Sequence, residues 1–303
     1  MIKQRLSLRL VLVALCAATV VNAHAKKSPT SKLYVSDLKG DAEIDRGTEI
    51  DDLTKKSVFN AEGSTLETKT NSNASVVLSN GTGVYVDAGT RVNITNFTQE
   101  AFRPNRSDFD EEPSTSNTHL YVEHGVIGVS TSLLSPGSTT TYETSLATAS
   151  IRGRQAVIVA EDNLTVISMV QGEATVQAGP LDRPRLVKNH QQIIIHPGNP
   201  GQANIVEIDD IEDGQAEDQL SWLEYRVLTA DSARKAVYFE VQARGSKSDD
   251  GGSVTVFDGA SSNASGAGDA GNSGNNNQIV AVPVVPANPP VDTNVSPANL
   301  TSH

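Results

Sequence analysis

Cysteine is all but missing from this chain of 303 residues: Cys16 is the only one, and it lies near the N-terminus. A disulfide framework is excluded, and so is a cysteine nucleophile in any form processed beyond that point. Aromatic residues are scarce, at 4% with one tryptophan, so few large rings are available for a core or a stacking surface. Positive charge is in deficit, 24 basic residues against 36 acids, and a formal charge of −12 disfavours nucleic acid and anionic bilayers as partners. Long apolar runs are lacking after residue 25: Val280 to Val285 is short and carries Pro283, against the ~20 residues a membrane helix needs. No P-loop, dinucleotide fingerprint or G-x-S-x-G elbow occurs.

What is present begins with a leader. Lys3, Arg5 and Arg9 precede the apolar stretch Leu10 to Val21, and Ala23-His24-Ala25 supplies a small-x-small cleavage pattern. Residues 1–25 therefore read as a signal peptide removed before Lys26. Leu15 before Cys16 does not suit lipoprotein processing. Cleavage takes away three basic residues and no acids, moving the formal charge from −12 to −15. The expected product is exported, periplasmic or at the cell surface or secreted, with no membrane span after cleavage.

From Leu33 to about Gln177 the pattern is of brief strands cut by turns. Gly63 to Thr95 is the clearest stretch: Ala74 to Leu78, then Asn80-Gly81-Thr82, then Gly83 to Val86, then Ala88-Gly89-Thr90, then Arg91 to Ile94. Asn-Gly between β-branched runs is a strong corner signal. Strand-like runs of three to five residues resume at Leu120, Val126, Thr140, Ala156, Leu164, Ala174 and Gln192. The predicted fold is all-β, with short strands stacked as a β-solenoid or roll, or alternatively as a β-sandwich. Residues 101–117, with Pro104, Pro113 and the acids Asp108, Asp110, Glu111 and Glu112, read as a surface loop.

One helix is expected late, over 209–240, packed on the β domain. Asp209, Asp210, Glu212 and Asp213 suit a helix N-terminus, and Leu220, Leu223, Val227 and Ala230 form an apolar stripe. Trp222 and Tyr225 form a second stripe beside it and are candidate partner-docking residues. Residues 245–303 are rich in Gly, Asn and Ser and then Pro, and read as a disordered tail.

The strand-and-glycine punctuation resembles the FecR domain, an extracytoplasmic module of envelope signalling proteins. Thr68 and Asn73-Ala74-Ser75-Val76-Val77-Leu78-Ser79-Asn80-Gly81-Thr82, followed by Ala88-Gly89-Thr90-Arg91-Val92, are similar to the first half of that family's pattern. Leu120-Tyr121-Val122-Glu123-His124-Gly125-Val126, Thr148-Ala149-Ser150-Ile151-Arg152-Gly153 and Val166 to Val176 around Gly172 are similar to the second. Arg154 stands where the family usually has threonine after Arg-Gly. The signalling members also begin with a cytoplasmic sigma-regulating segment and a membrane span, where this chain begins with a leader. The resemblance implies a stand-alone, exported FecR-like β domain over about 33–200, lacking the anti-sigma segment. Gly81, Gly89, Gly125, Gly153 and Gly172 read as structural turn glycines.

Chemistry is thin. His119 and His124 are five apart on a strand and point to opposite faces. His190 and His196 could share a face, but no third ligand accompanies them. The 108–112 acids lack calcium-loop spacing. Ser232-Ala233-Arg234-Lys235 matches S-x-x-K without its companion motifs. No catalytic residue, metal ligand or cofactor is expected. The expected function is a non-enzymatic binding or scaffold module engaging a protein or an envelope polymer in sensing or signalling. The alternative is a glycan-binding or surface-structural protein, with a hydrolase of hidden carboxylates third.

Overall fold

A computed structural model describes residues 31–100, 110–211, 217–243 and 277–283. The leader at 1–25 and most of the stretch read as a tail lie outside the described residues.

The chain opens with β1 (Lys32–Lys39), β2 (Ala42–Asp45), β3 (Ile50–Asp52), β4 (Val58–Asn60) and β5 (Thr65–Thr68). The Gly63 to Thr95 block then gives β6 (Asn73–Leu78), β7 (Gly83–Val86) and the start of β8 (Arg91–Gln99). At the Asn80-Gly81 corner the Leu78 amide donates to the Thr82 carbonyl over 2.8 Å, and Gly81 takes φ 85°. After the 101–109 gap come β9 (Ser116–Ser130), β10 (Thr139–Glu143), β11 (Thr148–Glu161), β12 (Leu164–Gln177), β13 (Arg185–Val187), β14 (Gln191–His196) and β15 (Ile205–Asp210). These fifteen strands form one sheet, so the fold is all-β as the patterning predicts.

Strand length departs from expectation: β9 runs for 15 residues and β11 and β12 for 14 each. Gly125, Gly153 and Gly172 do not end these strands but lie within them, where each strand changes partners. The first half of β9 pairs with β8 and, in parallel, with β10; from Gly125 onward it pairs with β7 and β11. β11 passes from β10 to β9 across Gly153, and β12 passes from β14 to β13 across Gly172. Gly153 and Gly172 sit opposite each other in the ladder, and a Cβ on Gly172 would fall 2.3 Å from the Gly153 Cα. Bare backbone at this crossing lets two long strands bend together.

The bends fold the sheet into an open roll of two layers. One layer carries β4-β1-β6-β7 and the later halves of β9 and β11, continuing to the first half of β12, β14 and β15. The other carries β3-β2-β5-β8, the first halves of β9 and β11 about β10, and the end of β12 with β13. Inward alternation from both layers, including Val35, Ile44, Val76, Ile94, Phe97, Leu120, Ile158 and Ile193, fills one apolar cluster.

The helix is shorter than expected: α1 spans Glu217–Lys235. Asp209 and Asp210 belong instead to β15, an edge strand paired with β14, where charged side chains discourage further pairing. Glu212 and Asp213 lie outside the described residues. Leu223, Val227 and Ala230 are buried against the outer face of the first layer, with Leu220 half-buried. Two strand glycines admit the helix: a Cβ on Gly83 would lie 2.1 Å from the Ala230 carbonyl oxygen, and one on Gly128 2.6 Å from the Arg226 Cβ.

Residues 237–240 are strand, not helix. They open β16 (Val237–Ala243), which pairs antiparallel with β17 (Asn277–Pro283), a piece of the stretch read as a tail. Ala281 is buried there with Tyr34, Val77, Ala233, Val237 and Phe239. Among the described residues no helix is long and apolar enough to cross a membrane.

Candidate functional site

Two places present exposed chemistry on this body. The first is a cleft where β11 bends. The register of β11 on β12 runs Arg152↔Glu173, Gly153↔Gly172, Gln155↔Gln171, so Arg154 is the extra residue of a β-bulge. A bulged residue is freed from the alternation of its strand and re-aimed. The Arg154 carbonyl accepts from the Thr131 amide over 2.8 Å and the Gly153 carbonyl from Thr131 Oγ1 over 2.7 Å, which fixes the bulge against the start of the 131–138 loop.

The opposite wall is that loop, and Glu112 holds it. Glu112 is 5% exposed, a correction to the reading of 101–117 as a solvated surface loop. Its carboxylate accepts from the Ser135 amide at 2.8 Å, from Ser138 Oγ at 2.5 Å and from Ser116 Oγ. The acid suits that place because three donors from the 116 and 135–138 segments converge on its carboxylate. Asp108 of the same run lies outside the described residues. Asp110 is exposed, with Nη2 of both Arg154 and Arg234 3.8 Å from its carboxylate. The open cleft between these walls is about 380 Å³, lined by Ser132, Leu133, Leu134, Gly137, Ser138, Arg152, Gly153 and Arg154.

The second place is the outward side of α1, which carries both aromatic residues singled out in the sequence. Trp222, Tyr225 and Leu228 are 37%, 56% and 53% exposed. Their backs are engaged. The Arg226 guanidinium stacks 3.6 Å over the Trp222 ring, donates to the Trp222 carbonyl at 2.8 Å and pairs with Asp87 in the β7–β8 turn. Tyr225 meets Tyr85 of β7 edge to face, with ring centroids 5.7 Å apart. Burial raises the Tyr85 hydroxyl pKa, and the charge of Asp87 raises it further, so that phenol stays neutral. At the helix end, Asp231 accepts from Ser130 Oγ of β9 at 3.0 Å and from Arg234 Nε at 2.8 Å, and pairs with Lys235.

The turn glycines fall elsewhere. Gly81 and Gly89 lie in the β6–β7 and β7–β8 turns with positive φ, and only Gly153 lines the cleft. The histidines do not converge. His190 occupies a turn with φ 60° rather than a strand, so it does not share a face with His196, whose Nδ1 lies 3.1 Å from the Asn163 carbonyl. His119 Nε2 is 2.8 Å from Glu143. Among the described residues no three His, Cys, Asp or Glu side chains gather as a metal group. Sequence reasoning missed the Arg152/Arg154 cleft and the Arg226–Asp87 pair. The Arg-Gly-Arg run inside a strand was the available signal, since an internal strand glycine often marks a bulge.

No protein-family model matches the chain, and no curated protein is significantly similar to it. Two crystal structures of a candidate anti-sigma factor from Parabacteroides distasonis, at 2.50 and 1.65 Å resolution, align with it at a TM-score of 0.38 and 20% and 19% identity. Each alignment covers 53% of this chain and 64% of the other, so the chain spans less than two thirds of that protein's length.

Proposed function

We propose that this chain is a non-catalytic, extracytoplasmic binding module of the FecR type, which acts in the cell envelope by holding a protein partner in sensing or signalling. The observation that carries the reading is the outer side of α1. Trp222, Tyr225 and Leu228 recur at three-residue steps, stay open to solvent, and stand on a helix locked to the β body by the Arg226–Asp87 and Asp231–Ser130 contacts. Aromatic side chains already immobilised lose little entropy on binding and make effective anchors. Asp218 and Glu224 are exposed beside them, so the complementary partner segment presents apolar side chains flanked by lysine or arginine. The glycine and Arg-Gly pattern supports the FecR type, and the leader supports export.

The test is capture from the envelope fraction of the source cell by the immobilised chain, set against the Trp222→Ser/Leu228→Ser double variant. A protein retained by the first and lost by the second, with the variant's unfolding midpoint unchanged, supports the reading. Equal retention by both, or retention of polysaccharide alone, overturns it.

A further inference from the structure

We propose that the cleft beside Arg152 and Arg154 binds a small organic anion, with its carboxylate or phosphate group on the two guanidinium groups and its remaining atoms against Leu133 and Leu134. This site uses other residues than the α1 surface and does not depend on the function proposed for that surface.

Three independent features converge there. The space, about 380 Å³, lies within the range of small-molecule sites, and polar hydroxyls of Ser132 and Ser138 share its lining with the two leucines. The charge is against the trend of the molecule: in a chain of formal charge −12, the cleft lining among the described residues contains two arginines and no acid. The backbone is arranged to deliver them, since Arg154 occupies the bulge, and Gly153 between the two arginines lets β11 lie close against β12, where a Cβ would fall 2.7 Å from the Gln171 carbonyl oxygen.

The neighbouring acids do not neutralise both cations. Asp110 is 3.8 Å from Arg154, and the same distance from Arg234. Glu112 is turned into the wall and spent on Ser116, Ser135 and Ser138. Glu173 is the cross-strand neighbour of Arg152, yet among the described residues Arg152 has no ion-pair partner. Guanidinium groups match carboxylate and phosphate oxygens in pairs, which makes an oxyanion the fitting ligand. Both side chains are partly solvated, so binding weakens as salt rises.

The probes are glucuronate, glucose 6-phosphate, glucose and inorganic phosphate, titrated calorimetrically into the purified chain at low ionic strength. Saturable binding of either sugar anion, about tenfold or more tighter than glucose, is expected, and the stronger of the two identifies the charged group. Arg152→Gln and Arg154→Gln each weaken it by about tenfold, and Leu133→Asp, placing a carboxylate at an exposed lining position, abolishes it. Thermal midpoints of the variants verify that they fold. Three results overturn the proposal: no saturable binding of either sugar anion, arginine variants that bind like the parent, or inorganic phosphate binding as tightly as the sugar phosphate. The Trp222→Ser/Leu228→Ser variant keeps anion binding, which separates failure here from failure of the protein-docking reading.

Discussion

Replacing Gly83 with alanine tests whether α1 is seated as closely as its burial requires. The added Cβ would stand 2.1 Å from the Ala230 carbonyl oxygen and 3.2 Å from the Arg234 Cβ, against roughly 3.5 Å for an ordinary contact. Backbone is the nearest obstacle, so no side-chain rotation relieves it and the helix must rise by more than about 1 Å. Accommodated overpacking of this kind costs about 1–3 kcal/mol. Complete detachment would expose Leu223 and Val227, each contributing about 1.5–3 kcal/mol, which sets a ceiling near 6 kcal/mol from those two residues. The expected loss for Gly83→Ala is about 3 kcal/mol. The assay is urea unfolding followed by the fluorescence of Trp222, the only tryptophan of the chain, which sits on the displaced helix under the Arg226 guanidinium. Gly128→Ala should behave alike. Gly89→Ala, with no atom within 4 Å of its Cβ but φ 61°, should cost only the ~1 kcal/mol of a left-handed residue and leave Trp222 emission unmoved. A Gly83→Ala protein within about 0.5 kcal/mol of the parent, with unchanged emission, would refute the seating argument.

Asp87→Ala removes the carboxylate facing Arg226, a side chain 10% exposed, and should destabilise by about 3 kcal/mol in urea melts, because the guanidinium remains buried and half-satisfied. Glu112→Ala strips the acceptor from Ser116, Ser138 and the Ser135 amide; about 2 kcal/mol of stability is lost and amide exchange across 133–138 quickens. For Asp231, burial raises the pKa, but bonds from Lys235, Ser130 and Arg234 and the charge of Arg234 outweigh it and hold the carboxyl below its ordinary value. A depressed folded value means that its stabilisation is complete above the unfolded pKa of ~4 and is lost as pH falls through the folded one. Unfolding midpoints between about pH 5 and 3 should fall less steeply for Asp231→Asn than for the parent.

The region from Leu33 to Ile94 was open to sequence reading because its signals are local. Asn80-Gly81 and Ala88-Gly89 mark turns by backbone need, and Val84/Val86 or Val92/Ile94 mark a buried face by alternation. The stripe Leu223, Val227, Ala230 is equally local to one helix. What escaped depends on meetings distant in sequence. Gly125, Gly153 and Gly172 look like strand ends one at a time, and only their common position at the fold of the sheet reveals three long strands. Gly83 and Gly128 are ordinary strand glycines until a helix about a hundred or more residues later lands on them. Asp209 and Asp210 suit a helix start as well as a charged sheet edge, and propensity does not arbitrate between them. The burial of Glu112 was hidden for the same reason: besides nearby Ser116, its donors are Ser135 and Ser138 of a loop more than twenty residues on.

The pairing of β16 with β17 places Ala243 directly opposite Asn277 in the ladder. The 33 residues from 244 to 276 thus connect two positions that face each other across one ladder. Closing such an excursion depends only logarithmically on its length, about 0.6 kcal/mol for each doubling. Insertions or deletions between Ala243 and Asn277 can accordingly vary its extent while the body underneath stays the same.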